Sequence, residues 1–248
     1  MLAAPPAADV AERRDSRDFL HAPATPAAAP APDSPGRDAT AIVIDVLRAT
    51  TTLTVALANG ATRVIPAGTV EEGFALRREH PGALLCGERE GLLIPGYDLG
   101  NSPLEYASQR VAGRELIFAS TNGSQALRLA ERARRRMIAA FVNAGAVVES
   151  VAGASEVWLL ASGKLGRFSL EDSACAGWLI RALAARGFAA EGPAALLASS
   201  LAPGDAAGVR ATLEGSSHGR YLRSLGGAFA RDVEFCARLD LIGAAFEV

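Results

Sequence analysis

From Ala41 onward, short apolar runs alternate with segments whose apolar positions recur at helical spacing. Ile42-Val43-Ile44 reads as a buried strand, and 63–66, 83–86, 116–118, 137–141 and 157–160 repeat the pattern, each followed by polar turn chemistry. Between them, helical periodicity covers 50–58, 124–134, 144–151 and 171–186. Thr69 and Glu72 form a capping box for a helix that ends at Pro81-Gly82, and Ser169 caps the helix from Glu171. Ser102-Pro103 predicts a further helix start, with proline at the first helical position. Beyond Gly187 the pattern is helical: 193–201, 206–213, 218–225 and 229–238. Strands alternating with helices predict an α/β protein with a largely parallel, helix-covered sheet.

The first 36 residues break this pattern. They hold 11 alanines and 7 of the chain's 13 prolines, too little apolar surface to offset the entropy of ordering. The division expected is a disordered tail over 1–38, with at most a short helix near 10–20, and a folded domain over 39–248. A misassigned start codon would produce the same tail.

Composition narrows the function. The hydrophobic fraction is 50% and the charged fraction 21%, ordinary for a globular protein. A formal net charge of −2 supplies no basic field for nucleic acid or an anionic membrane. No apolar run is long enough to span a bilayer, and Pro5, Pro6 and Asp9 interrupt any secretory signal. Three cysteines without a CxxC pair point to a reduced, cytoplasmic setting and not to a disulfide scaffold. Of the 25 basic residues only Lys164 is a lysine. Nothing here conflicts with a homo-oligomer.

In open α/β sheets, ligands bind beyond the carboxyl ends of the strands. Four loops occupy those positions. After Ile44 come Asp45 and Arg48, then Thr50-Thr51-Thr52: a carboxylate able to hold Mg²⁺ or attack phosphorus, with cation and hydroxyls for an anion. An N-cap aspartate beside a surface arginine fits the same letters. The long Gly87–Asn101 loop carries Glu88, Arg89 and Asp98 among glycines, and connections of this length are uncommon without a function. Thr121-Asn122-Gly123 offers hydroxyl and backbone N–H groups to an oxyanion, although it is also good turn chemistry. The last loop places Lys164 and Arg167 before the acid pair Glu171-Asp172; it lacks Walker spacing, and the acids also suit a helix dipole. His218 is the only plausible acid–base histidine but reads better as a structural helix start, and Cys175 and Cys236 read as small buried hydrophobes.

Taken in order, Ile42-Val43-Ile44-Asp45-Val46-Leu47-Arg48-Ala49-Thr50-Thr51, Gly87-Glu88-Arg89, Asp98-Leu99-Gly100-Asn101-Ser102-Pro103, Thr121-Asn122-Gly123 and Phe168-Ser169-Leu170-Glu171-Asp172 with Cys175-Ala176-Gly177 resemble the motifs of the 2-phosphosulfolactate phosphatases, the ComB family. Ser217-His218-Gly219 and Asp232-Val233-Glu234-Phe235-Cys236 are similar too. The resemblance runs from about 41 to 240. It departs at the start, where the Ala/Pro tail stands in place of a short first strand, and over 189–215.

The resemblance implies a three-layer α/β/α fold with a largely parallel or mixed sheet. It also implies a Mg²⁺-dependent phosphatase that converts (2R)-2-phospho-3-sulfolactate to 3-sulfolactate and phosphate, a step of the coenzyme M type. Asp45, Glu171 and Asp172 would do the chemistry, and Asp45, Glu88, Glu171 and Asp172 would hold the metal. Arg48, Thr50, Arg89 and Asn101 would bind the small anionic phosphorylated substrate together with Thr121, Asn122, Gly123 and Arg167. Two routes stay open: Asp45 attacks phosphorus, or a metal-held water attacks with Glu171 or Asp172 as base. The alternatives are a phosphatase of the same fold acting on another small anionic ester, and a non-catalytic module for a phosphorylated or nucleotide ligand.

Overall fold

A computed structural model describes residues 35–248. Nearly all of the tail read over 1–38, and the helix read near 10–20, lie outside the described residues.

In chain order the elements are β1 (Thr40–Ile44), α1 (Ala49–Ala58), β2 (Arg63–Ala67), α2 (Val70–Glu79), β3 (Leu84–Arg89), β4 (Leu92–Leu93), α3 (Ser108–Val111) and β5 (Glu115–Ala119). They continue with α4 (Gly123–Leu129), β6 (Arg135–Ala139), α5 (Ala144–Ser150), β7 (Val157–Ala161) and α6 (Leu170–Ala184). Last come α7 (Gly192–Ser200), α8 (Ala206–Gly215), α9 (Ser217–Ser224), α10 (Gly227–Cys236) and β8 (Phe246–Glu247). Among the described residues no helix is long and apolar enough to cross a membrane.

The α/β class holds, with the strands divided between two mixed sheets. One has the order β7-β1-β6-β8 and the other β2-β5-β3-β4. Each joins three parallel strands to a two-residue antiparallel edge. Side chains alternate across each strand, so each sheet contributes to two cores. Ile42 and Ile44 of β1 pack with residues of α5 and α6 and with the C-terminal helices, whereas Ala41 and Val43 face the other way. There they meet Leu53 of α1, Leu127 of α4, and Leu116 and Phe118 of β5. On the far side of the second sheet, Ile65, Ile117 and Leu85 pack with Val70 and Leu76 of α2. The result is two α/β/α units that share α1 and α4 as their middle layer.

Several elements differ from the sequence expectation. The segment read as an open loop from Gly87 begins as a hairpin: β3 runs on to Arg89, turns at Glu90 (φ 54°) and Gly91 (φ 82°), and returns as β4. Two consecutive left-handed residues are what a tight two-residue hairpin turn demands. Ser102-Pro103 starts only a three-residue 3-10 turn, because the Ser102 hydroxyl donates to Asp232 Oδ1 at 2.5 Å and does not cap. The capping box is half formed. Thr69 Oγ1 accepts from Glu72 N, but the Glu72 carboxylate takes Gly68 N and pairs with Arg128.

Register then brings the functional loops together. Ile44 lies level with Ala139 and Ala161, and Ala119 with Ala67 and Gly87, so both sheets end at matched heights. The helices leaving these edges touch at their first turns. A Cβ on Gly123 would lie 2.8 Å from Ala49 Cβ and 3.0 Å from Asp45 Oδ2. Glycine at 123 is therefore what lets α4 approach α1, and with that approach the two carboxyl edges open onto one place.

Candidate active site

Asp45 leaves β1 at the carboxyl edge and is 6% exposed. Its backbone N–H donates to Thr50 Oγ1 (3.0 Å), and the Thr50 hydroxyl lies 2.7 Å from Ala139 O and 2.9 Å from Asp45 O. Thr50 thus anchors the turn from within, fully occupied and buried, and does not face a substrate. Asp45 Oδ1 accepts from Ala49 N at 3.2 Å, while Oδ2 has no hydrogen-bond donor among the described residues. Burial raises the Asp45 pKa to about 6, and the charges of Glu88 and Glu171 push the same way; His218 and the Ala49 N–H oppose them.

The other three acids have different surroundings. Glu88 bridges two loops, Oε1 accepting from Thr121 N (2.8 Å) and Oε2 from Gly91 N (2.7 Å). Asp172 bridges two more: Oδ1 accepts from Val46 N (2.9 Å) and Oδ2 from Gly163 N (3.2 Å). Burial, then Asp45 and Glu171, hold the Asp172 pKa well above its ordinary value. Ser169 caps α6 through Asp172 N at 3.3 Å, as its place before Glu171-Asp172 predicts. Glu171 is buried and pairs with His218, Oε1 to Nδ1 at 3.3 Å. Burial pushes Glu171 up, but hydrogen bonds from His218, its own N–H and Ser216, with the nearby His218 charge, leave it below its ordinary value.

The candidate cations separate sharply. Arg48 is 3% exposed: its NH1 pairs with Asp232 Oδ2 at 2.6 Å, its NH2 donates to Gly91 O at 2.6 Å, and its guanidinium sits 5.1 Å above the Phe229 ring. The Arg89 guanidinium rests on backbone oxygens, NH1 on Glu88 O (2.8 Å) and NH2 on Gly68 O (3.5 Å). Arg167 is exposed on a turn closed by its own backbone pairing with Lys164. Lys164 Nζ lies 4.5 Å from the centre of the Tyr221 ring. Asn122 Oδ1 accepts from Leu165 N at 2.8 Å, tying the Thr121–Gly123 loop to the Lys164 turn. Thr121 Oγ1 and Asn101 Oδ1 are buried without a partner, the latter in a residue whose carbonyl accepts from Thr52 on α1.

The structure therefore gathers Asp45, Glu88, Glu171 and Asp172 with the Thr121–Gly123 loop. It encloses Arg48 and Thr50 within the scaffold. Two contributors were not assigned to the site from the sequence: His218, which its position at a helix start disguises, and Asp232, which lies 184 residues from its partner Arg48. The three cysteines are buried and free, and burial drives Cys86 and Cys236 to about 12, consistent with small core side chains and not nucleophiles.

A carboxylate at a strand's carboxyl end, amid glycine-bearing loops from both sheets, fits the chemistry of phosphate esters. A family model described as 2-phosphosulpholactate phosphatase matches residues 25–248. The chain belongs to this family. A relative from Carboxydothermus hydrogenoformans named "Probable 2-phosphosulfolactate phosphatase" is 43% identical over 206 residues, 83% of this chain and 84% of its own. Proteins of the same name from Thermotoga maritima and Deinococcus radiodurans are 40% identical over 211 residues and 42% identical over 217. Those alignments cover 85% and 84% of this chain and 89% and 87% of the relatives. Membership of the 2-phosphosulpholactate phosphatase family makes the chain a phosphatase, a phosphoric monoester hydrolase.

Proposed function

We propose that the chain hydrolyses (2R)-2-phospho-3-sulfolactate to 3-sulfolactate and phosphate with Mg²⁺, a step of the coenzyme M type. The observation that carries this reading is the open oxygen of Asp45. Each oxygen of Glu88 and Asp172 accepts a backbone N–H, which suits them to fixing loops. Asp45 Oδ2 keeps its lone pairs for a ligand.

Among the described residues no group of three or more His, Cys, Asp or Glu side chains is arranged to hold a metal by itself. Mg²⁺ commonly binds through one or two carboxylates, with substrate phosphate and water completing its shell, and this donor set fits that kind of site. Glu171, which is not occupied by a pair of backbone N–H groups from neighbouring loops, would hold it together with the substrate's phosphate. Bound there, it supplies charge neutralisation at the phosphoryl oxygens.

The chain's own groups supply the rest. Asp45 Oδ2, the open oxygen of the cluster, aligns the attacking water and accepts its proton as the new P–O bond forms. His218, oriented through Nδ1 by Glu171, keeps Nε2 for the leaving oxygen and protonates it as the ester bond breaks. Asp172 holds Val46 and Gly163, and so fixes the backbone on both sides of the reacting group.

Phosphate release from 2-phosphosulfolactate tests the proposal. Turnover should stop with EDTA and return with Mg²⁺, and in H₂¹⁸O the label should enter phosphate from the first turnover. Label in the Asp45 carboxylate would show attack by Asp45 itself. Undiminished turnover after chelation would remove the metal. Release from other esters but not this one would overturn the substrate, and no release from any ester would leave a binding module.

A further inference from the structure

A substrate with several anionic groups needs cations beyond those at phosphorus, and the cluster is rich in carboxylates. Lys164 differs from the arginines around it. Arg48 is closed off by Asp232, Arg89 is held on backbone oxygens, and Arg167 is exposed. The Lys164 ammonium makes no ion pair among the described residues, and its recorded contact is with the Tyr221 ring. Its turn is bonded to Asp172 and Asn122, and the Tyr221 ring under its ammonium stacks on His218, so it borders the site; partial burial lowers its pKa, with Glu171 and Glu88 opposing.

Its placement is fixed on every side. Lys164 N donates to Arg167 O (2.9 Å) and Arg167 N to Lys164 O (3.0 Å), closing the turn. The flanking Gly163 N and Leu165 N bond to Asp172 Oδ2 and Asn122 Oδ1, two residues of the cluster. Tyr221 is held in turn by its hydroxyl, which donates to Glu90 O at 3.0 Å on the β3–β4 turn, and it stacks on His218. A lysine this well positioned, and still unpaired, is a prepared seat for an anion.

Resting on the phosphatase reading, we infer that Lys164 is a specificity-determining residue that binds a second anionic group of the substrate, a carboxylate or sulfonate near the phosphate ester, and not the phosphoryl group. The enzyme then selects small phosphate monoesters that carry such a group, with Tyr221 positioning the ammonium.

Two substrates separate this from a general role. For 2-phosphoglycolate, which has a carboxylate beside the ester, Lys164→Met should lower kcat/KM about 10- to 100-fold more than it does for p-nitrophenyl phosphate, the range of a lost charge-assisted hydrogen bond. The loss should fall mainly on KM, with Lys164→Arg retaining part of the selectivity and Tyr221→Ala losing part. Equal losses on both substrates, or none, would overturn the inference. A binding measurement stands apart from turnover: reductive ¹³C-methylation of the full chain labels one side-chain amine, Lys164. Its signal should shift saturably with sulfoacetate, and absence of a shift would overturn the inference. If the wild type hydrolyses neither ester, phosphate release from 2-phosphosulfolactate decides the phosphatase reading, and the sulfoacetate titration still decides for or against the lysine.

Discussion

Asp45 and Arg48 lie three residues apart, are almost equally buried, and have opposite fates. Around Arg48 every charge has an answer. Asp232 pairs with it, the Ser102 hydroxyl satisfies the other Asp232 oxygen, and Gly91 O and the Phe229 ring complete the shell. Around Asp45 the charges add up. Glu88, Glu171 and Asp172 are near, His218 is the opposing charge that most lowers its pKa, and one Asp45 oxygen has no donor. Burial with compensation builds scaffold, whereas burial without it stores reactivity. The closed pair ties α10 to the β1–α1 turn and so holds steady the segment from which Asp45 projects.

Breaking the closed pair should have the largest effect on stability. Asp232→Ala leaves a buried guanidinium unpaired and should cost about 3–5 kcal/mol in denaturant unfolding. The double variant Arg48→Met/Asp232→Leu should recover most of that loss, since a packed apolar pair replaces a buried ionic one at little cost. Equal, small changes in both variants would show the pair to be idle.

The open side should respond in the opposite direction. The Asp45 pKa is about 6 in the fold against an ordinary 3.8, so the folded state holds the proton to higher pH than the unfolded chain does. Its contribution to stability is therefore lost as pH rises from about 4 to about 6, with a ceiling near 3 kcal/mol at 1.36 kcal/mol per pH unit. Asp45→Asn can keep the bond to Ala49 N and removes the charge. It should unfold later than wild type at pH 8 and converge with it near pH 4. An Asn variant less stable than wild type at pH 8 would mean that the charge is compensated after all.

Two smaller effects sharpen the contrast among the acids. Glu88→Gln puts an amide N–H₂ against one of two backbone N–H groups, and should cost about 1–3 kcal/mol of stability. Ser169→Ala removes the α6 cap and should cost about 1 kcal/mol. Thermal unfolding of both variants checks the order. A Glu88→Gln protein as stable as wild type would count against the bridging role.

Much of this was legible before the fold. The Ile42–Ile44 run, the helical spacing over 50–58 and the Ser169 cap are local signals, and β1, α1 and α6 follow them. The rule that ligands gather at carboxyl strand ends located Asp45, Glu88 and the Thr121–Gly123 loop. Local letters could not tell a free arginine from a paired one, because the Arg48 partner lies on α10 and their meeting depends on the whole chain. His218 stood out as the one plausible acid–base histidine but read as structural for the same reason, since its significance is its distance to Glu171, not its neighbours in sequence. The division into two sheets was equally invisible, because strand order is set by which helices share a layer and each strand reads alike in either sheet.

The central claim is that the uncompensated carboxylate, and not the paired guanidinium beside it, carries the reaction. Its most direct test is kcat of Asp45→Asn for 2-phosphosulfolactate at pH 7.5 with saturating Mg²⁺. The account predicts a fall of at least about a hundredfold, on the order of 3 kcal/mol of barrier, in a protein that is still folded. A rate near that of the wild type would contradict it and move the chemistry to Glu171 and His218.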